Sequence, residues 1–345
     1  PAHLLPGMAL GASLEIASCV AGRLAVLILI VVIVLWITTW LVKHLVKLFQ
    51  THSADWLQKF YAWSQGRRLI GPISASLLDP TQGELRGLTT LAVLLLGGVV
   101  LASLSLSAAG QQLPSGLDQS LYHFFQGLRN PWADALMVFA TELGDYRVIL
   151  PLSLVVFGRL VWQRNWAAAQ HWLMALGFGM TTNLLFQWLL PVASPTEVLQ
   201  GLMGYSFPSS HATFSTLVFG FLAVLITREI PLTQRWIVYL AAAFMIVPIA
   251  FARLYLGIHW LTDTLAGLCL GLIWVTTLGL AYSRHAVMGP INWRGLLAYS
   301  VVVLLVTDLL HVSFDFRVDM QRYRPEPNHQ VQVREQWWRD GWRQL

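Results

Sequence analysis

The sequence reads FPSSH at positions 207–211 and RLYLGIHWLTD at positions 253–263, with two apolar runs, 212–227 and 236–252, between these motifs. The charged segment 228–235 joins the two runs. Each run has nearly the length that an α-helix needs to cross a bilayer, so the pair predicts a helical hairpin. A hairpin returns the chain to the side of the membrane that it left. We therefore expect the two polar motifs to meet at one end of this hairpin.

The two motifs contain the side chains that phosphoryl transfer needs. The guanidinium of Arg253 can hold phosphate oxygens in a bidentate manner. One of the two histidines, His211 and His259, can attack phosphorus, and the other can protonate the leaving oxygen. Asp263 follows His259 by four residues, so on a helix that begins near position 260 its carboxylate can fix the tautomer of that imidazole.

Other polar residues of the apolar segments differ in how strongly they indicate a site. Ser209 and Ser210 directly precede an apolar helix, where free backbone N–H groups and the helix dipole favour an anion, so both are predicted to bind phosphate. A lone histidine at the end of a membrane helix is ordinarily an interfacial polar residue. Asp308 and His311, three residues apart in the last apolar segment, are expected to form a polar pair without a catalytic role.

The motifs also resemble a known family. Pro-Ser-Ser-His, followed by Arg-x5-His-x3-Asp, is similar to the second and third signature motifs of the type 2 phosphatidic acid phosphatase superfamily. The resemblance implies a membrane enzyme that dephosphorylates lipid phosphates and pyrophosphates without a metal. It further implies that His259 is the nucleophile, with Asp263 as its partner, and that His211 is the general acid. Ser209 and Arg253 match phosphate-binding positions of the family.

The chain departs from the family pattern in several places. Ser210 and Ala252 stand where the family usually has glycine and serine. The first motif of the family, Lys-x6-Arg-Pro, has no charged counterpart in either of two possible registers. One register gives Gln187, Ser194 and Pro195, and the other gives Asn183, Leu190 and Pro191. The resemblance covers about 88–283 and leads us to expect reduced activity, because two cations that would bind the phosphate are absent.

Composition defines the class of protein. Hydrophobic residues make up 56% of the chain and charged residues only 11%, which is typical of a polytopic membrane protein. The net charge of +5 and the absence of a basic tract exclude a nucleic-acid partner. We predict an all-α integral membrane helical bundle of about eight transmembrane helices with a six-helix phosphatase core. The predicted spans are 24–42, 88–108, 146–161, 165–190, 212–227, 236–252, 260–283 and 295–312.

The chain divides into four predicted regions. Residues 1–50, which begin PAHLLPG, resemble the C-terminal end of a DedA family protein with one spanning helix. A connecting segment of no such descent remains the alternative. A cytoplasmic linker at 51–87 leads into the membrane phosphatase domain at 88–285, and 286–345 holds an extra transmembrane helix and the start of an extracytoplasmic tail.

Loop charges predict the orientation. Loops on one side of the membrane carry more than half of the 22 Lys and Arg residues, whereas the opposite loops hold only Arg129, Arg147 and Arg253. By the positive-inside rule, the protein is expected to lie in the bacterial cytoplasmic membrane with its active site facing the periplasm or outside.

Together these features predict a metal-independent phosphatase, with no cofactor, that acts on a lipid phosphate or pyrophosphate through a phosphohistidine. The DedA resemblance favours undecaprenyl pyrophosphate as the substrate. The alternative is a weak or inactive lipid-phosphate-binding module coupled to polyprenyl phosphate transport, for which the uncharged residues Gln187 and Ser194 are the reason. The expected partners are the lipid substrate and the bilayer, and the oligomeric state is left open.

Overall fold

A computed structural model describes residues 21–44, 97–100, 102–103, 116–195, 205–284 and 290–324. In this part the chain is helical, and its extended pairing is limited to an isolated bridge between Ala193 and Tyr205. The helices are α1 (Ala21–His44), α2 (Gly116–Leu128), α3 (Pro131–Glu142), α4 (Tyr146–Trp162), α5 (Trp166–Leu189), α6 (Ser210–Arg228), α7 (Leu232–Tyr255), α8 (Leu261–Arg284) and α9 (Trp293–Arg322). The predicted all-α helical bundle is confirmed.

Five of these helices are long and apolar enough to cross a membrane, namely α1, α6, α7, α8 and α9. They correspond to predicted spans. The helices α4 and α5, also predicted to span, lie in the same bundle but are not among these five. Helix α4 has only 17 residues, and α5 contains polar residues such as Asn183 and Gln187. Most of the predicted span 88–108 lies outside the described residues.

Short polar residues set the starts of several helices. Asn130 accepts a hydrogen bond from the Ala133 N–H, and Pro131 follows it at the first helical position of α3. Asp145 accepts from the Arg147 N–H at the start of α4. These caps satisfy N–H groups that the helix itself leaves free, so the turn between α3 and α4 is fixed by local sequence.

Helices α6 and α8 approach closely because α8 carries glycines at four-residue spacing. A Cβ atom on Gly267 would lie 2.5 Å from the Ser209 carbonyl oxygen, and one on Gly271 would lie 2.5 Å from Cβ of Thr216. Small residues at these two positions therefore allow the two helices to pack closely. This packing lets the Ser209 N–H donate to the Asp263 carbonyl at 3.0 Å, which joins the two motif segments.

The loops that are rich in basic residues lie together at one end of the helix bundle. There the Gln163 side chain accepts from the Asn292 N–H at 2.8 Å, and the Arg228 guanidinium donates to the Tyr282 carbonyl. Lys43, near the end of α1, lies 5.0 Å from the centre of the Trp236 ring at the start of α7. The motif segments 205–210 and 253–263 lie at the opposite ends of the same helices.

The structure corrects the prediction in the last helix and in the first outer segment. Helix α9 continues to Arg322, ten residues beyond the predicted span 295–312. The helix continues because the acidic residues of its last turns have partners: Asp315 pairs with Arg147 and His311. Helix α2 lies between the predicted spans 88–108 and 146–161 and was not predicted, because that stretch of sequence is polar.

Residues 1–20 and 45–87, on which the DedA resemblance and the linker prediction rest, lie outside the described residues. Helix α1 is described, and its Leu27 is buried with Phe125, Tyr255 and Leu256 in one hydrophobic core. A second core lies among α4, α5, α6 and α8, where Trp172 and Phe221 are fully buried. The site lies at the end of the bundle that is nearer to the first of these cores.

Candidate active site

The site forms where α6 begins and where α7 passes into α8. The turn after α7 contains Gly257 with a φ of +72°, a conformation that favours glycine, and this turn reverses the chain towards α8. The side chain of Asp118 in α2 accepts from the N–H and the hydroxyl of Thr262, at 3.0 and 3.1 Å, and so fixes the first turn of α8. As a result His259 and Asp263 lie beside the start of α6.

The guanidinium of Arg253 lies in the centre of the site and is only 2% exposed. Its Nη2 lies 3.3 Å from Nε2 of His259, and its Nη1 donates to the Thr141 hydroxyl at 3.3 Å. Within the described part of the chain, Nε of Arg253 has no hydrogen-bond partner. A buried cation with a free N–H can receive an anion at low cost in desolvation.

The tautomer of His259 follows from these contacts. Because Arg253 can only donate, Nε2 of His259 acts as the acceptor and the ring proton lies on Nδ1. Nδ1 faces Oδ2 of Asp263 at 3.8 Å, longer than a hydrogen bond. Oδ2 also accepts from the Trp260 N–H at 2.9 Å, which holds the carboxylate behind the imidazole. Such contacts often shorten when substrate binds.

Burial lowers the pKa of His259 below its ordinary value of 6.5, and the positive charge of Arg253 acts in the same direction. Asp263 opposes this by raising the pKa. The net result is a neutral imidazole at pH 7 whose Nε2 lone pair faces the Arg253 guanidinium. A neutral Nε2 is the form that can attack phosphorus.

His211 is the second residue of α6 and is half-buried, so it remains open to a ligand. It lies within electrostatic range of Arg253, His259 and Arg322. The turn at Gly144 packs close to it, since a Cβ at Gly144 would lie 3.5 Å from Cδ2 of His211. The two predicted histidines and the predicted arginine therefore lie in one site.

The two predicted phosphate-binding serines differ in their surroundings. Ser209 is fully buried, and in the described residues its hydroxyl has no partner. The Ser210 hydroxyl instead donates to the side-chain oxygen of Asn183 at 3.0 Å and accepts from the Gln187 amide at 3.1 Å. Ser209 is thus the freer of the two to bind an anion, while Ser210 contacts α5.

Residues at the position of the uncharged first motif reach the same site. The Gln187 amide also lies 3.3 Å from the Pro208 carbonyl oxygen, and the Ser194 hydroxyl donates to the Ile258 carbonyl at 2.7 Å. These neutral groups hold the backbone on either side of the site in place of binding phosphate by charge. Asn183, from the other register, also contacts Ser210, so each register places a neutral residue beside the site.

Sequence reasoning missed two groups that shape the site. Arg129, assigned only to an outer loop, is buried, pairs with Asp134 at 2.7 Å and donates to the carbonyls of Leu256 and Tyr323. Arg322, at the end of α9, adds positive charge near His211 and Arg253. No local pattern marks either residue. The contacts of Arg129 with Leu256 and Tyr323 span more than a hundred residues of the chain.

The chain is similar to a family of membrane phosphatases. Residues 178–285 match the PAP2 superfamily. The chain is 30% identical over 152 residues to phosphatidylglycerophosphatase B of Bacillus subtilis, covering 42% of this chain and 73% of that protein. It is 25% identical over 198 residues to an undecaprenyl-diphosphatase of Sulfolobus acidocaldarius, covering 56% of this chain and 90% of that protein.

Among solved structures, a transmembrane PAP2 type phosphatidylglycerolphosphate phosphatase from Bacillus subtilis superimposes with a TM-score of 0.49 at 23% identity. The superposition covers 56% of this chain and 96% of that chain. The matched family region includes both motif segments of this chain and the second half of α5, which contacts them.

Proposed function

Because the chain belongs to the PAP2 superfamily, we propose that it is a membrane phosphatase that hydrolyses a lipid phosphate or pyrophosphate through a phosphohistidine. The observation that carries the proposal is the pairing of a neutral His259 with Arg253, 3.3 Å apart, while Asp263 lies behind the ring. A nucleophile next to a phosphate-binding cation is the arrangement that phosphoryl transfer requires.

The reaction has two steps. Nε2 of His259 attacks phosphorus, the bond from phosphorus to the leaving oxygen breaks, and His211 gives its proton to that oxygen. A water then attacks the phosphohistidine while His211 takes up a proton, which releases phosphate and restores His259. Arg253 and the hydroxyl of Ser209 hold the phosphate oxygens, and Ser210 supports the backbone beside them. No step in this proposal calls on a metal or other cofactor.

We favour a polyprenyl pyrophosphate such as undecaprenyl pyrophosphate as the substrate. One relative is an undecaprenyl-diphosphatase and another a phosphatidylglycerophosphatase, so both headgroups are within the range of the family. The proposed DedA-like region at 1–50 and linker at 51–87 favour a carrier lipid, with the phosphatase domain at 88–285 and the extra helix and tail at 286–345.

Phosphate release by the purified full chain tests the function directly. Undecaprenyl pyrophosphate, phosphatidic acid and phosphatidylglycerol phosphate are each presented in detergent with EDTA. We expect release from at least one of them, fastest from the pyrophosphate. Two neutral residues, Gln187 and Ser194, stand at the family's cationic positions, so the rate is expected to be low. Binding of a lipid phosphate without any release would support a binding module instead.

We further propose that the site faces the periplasm or the outside of a bacterial cytoplasmic membrane. Support comes from the basic connections at the opposite end of the bundle, such as those of Arg164 and Arg228. In a chain without Cys19 and Cys269, an exposed cysteine at Gln119, in α2, is expected to react with an impermeant thiol reagent on intact cells. A cysteine at the exposed Arg164 should react only after permeabilisation. The reverse pattern would place the site in the cytoplasm.

The depressed pKa of His259 predicts the pH dependence of the reaction. Since burial favours the neutral ring, the nucleophilic form persists as the pH falls through 6.5. We expect kcat/KM to decline only below that pH. Asp263 raises the pKa, so Asp263→Asn should move this acidic limb to still lower pH, with a reduced rate. If kcat/KM already declines at or above pH 6.5, or if Asp263→Asn does not move the decline, His259 is not the group that titrates.

A further inference from the structure

A second cluster of ligand-type side chains lies between α3 and α9. It consists of Glu142, the last residue of α3, with His311 and Asp319 of α9, and one ligand atom from each lies within 4.8 Å of the other two. Nε2 of His311 is 3.6 Å from Oδ2 of Asp319. The sequence predicted a pair of Asp308 with His311, but in the structure His311 pairs with Asp315 and Asp319.

Glu142 is the feature of this cluster that requires an explanation. The residue is 2% exposed, and among the described residues neither of its carboxylate oxygens has a hydrogen-bond partner. A buried carboxylate without a partner is costly, and a bound cation would remove that cost.

His311 is oriented for metal binding. Its Nδ1 lies 3.1 Å from Oδ2 of Asp315, and the same oxygen accepts from Nη1 of Arg147 at 2.7 Å. The carboxylate of Asp315 therefore accepts a hydrogen bond from Nδ1–H, which leaves the lone pair on Nε2, facing Asp319. Metal-binding histidines commonly donate their other ring N–H to a carboxylate in this way.

We propose that Glu142, His311 and Asp319 bind a divalent transition-metal ion such as Zn²⁺, with Asp315 as the residue that orients His311. Two carboxylates and one imidazole form a ligand set that Zn²⁺ accepts. At metal–ligand bonds of about 2.0–2.2 Å, tetrahedral ligands lie roughly 3.4 Å apart, so His311 and Asp319 already have suitable spacing. Glu142 needs only a small side-chain movement.

The ion would fasten α9 to α3 beside the phosphatase site. Thr141, the neighbour of Glu142, contacts Arg253, whereas α9 lies outside the region that matches the family. The proposed ion is separate from His259 and takes no part in the phosphoryl transfer. The two proposals can therefore fail independently.

Metal content tests the proposal. The full chain, purified without a polyhistidine tag and stripped with EDTA, is dialysed against micromolar Zn²⁺ and analysed by mass spectrometry for bound metal. We expect one Zn²⁺ per chain and a higher Tm with Zn²⁺ than without. His311→Gln and Glu142→Gln should each lose this ion and the rise in Tm. Asp315→Asn should weaken Zn²⁺ binding about 10–100-fold, as expected for a residue that orients a ligand.

His171→Gln provides a matched control, because His171 and His311 are both 6% exposed but His171 lies in α5 near Tyr282. This variant should retain the ion. The proposal is overturned if the wild type binds no Zn²⁺, or if His311→Gln retains as much as His171→Gln. If Glu142→Gln does not fold, His311→Gln and Asp315→Asn still decide the outcome.

Discussion

Replacing His259 with alanine is expected to lower phosphate release by more than about 10⁴-fold, because the variant has no nucleophile to form the covalent intermediate. His211→Ala removes only the proposed acid and should slow release by about 10²–10⁴-fold. Rapid acid quench with a radiolabelled lipid phosphate should trap phosphohistidine in the wild type. The label should be absent from His259→Ala. It should be present in His211→Ala, because His259 of that variant can still attack the phosphorus of the substrate.

A buried histidine elsewhere supplies the control for these variants. His171 lies in α5, with Nδ1 2.8 Å from the Ala167 carbonyl oxygen and its ring beside that of Tyr282, so His171→Ala should keep nearly the full rate. All variants should elute as the wild type does in gel filtration. A His259→Ala protein that folds and still forms the labelled intermediate would place the nucleophile at another residue.

Arg253→Ala is expected to reduce kcat by about 10²–10³-fold or more, because the transition state then loses its buried guanidinium. Charge on three phosphate oxygens must be met by preorganised donors, and Arg253 is buried at 2% exposure beside the nucleophile. Arg253→Lys keeps the charge but not the planar fork, so it should recover only part of the rate. Free guanidinium ion added to Arg253→Ala should restore activity in part.

Thr141→Val separates binding of phosphate from positioning of the arginine. The Thr141 hydroxyl accepts from Nη1 of Arg253 at 3.3 Å, so its loss leaves the cation in place with less restraint. A decrease of no more than about 10-fold in kcat is expected, because the cation itself remains beside the nucleophile and only one of its hydrogen bonds is lost. If Thr141→Val is as slow as Arg253→Ala, the arginine acts mainly through this contact. If Arg253→Ala retains the wild-type kcat, Arg253 does not bind the phosphate.

Most of the membrane-spanning helices could be predicted from the sequence alone. The lengths of the apolar runs predicted α1, α6, α7, α8 and α9 as spans, because a bilayer sets the length of an apolar helix. The polar residues Asn183 and Gln187 explain why α5 does not stand out by hydropathy. The end of α9 was placed too early, since the acidic residues after position 312 gave no sign of the partners that stabilise them.

The candidate catalytic residues were also predictable, since the roles of His259 and Asp263 depend on a spacing of four residues and on a family motif. Their neighbours were not. Thr141 contacts a residue 112 positions away, and Asp118 contacts Thr262 across 144 positions. Such pairs depend on which helix faces pack against one another after the spans have formed. No local sequence pattern encodes that choice.

The sequence by itself determined that this chain is a helical membrane protein with a hairpin that brings two polar motifs to one end. Only the tertiary structure decided that Gln187 and Ser194 hold backbone carbonyls, that Arg129 is a buried link, and that Glu142 faces His311 of α9. The physical reason is that apolar length and short-range spacing act along one helix. Contacts between helices depend instead on shape, such as the close approach that Gly267 permits.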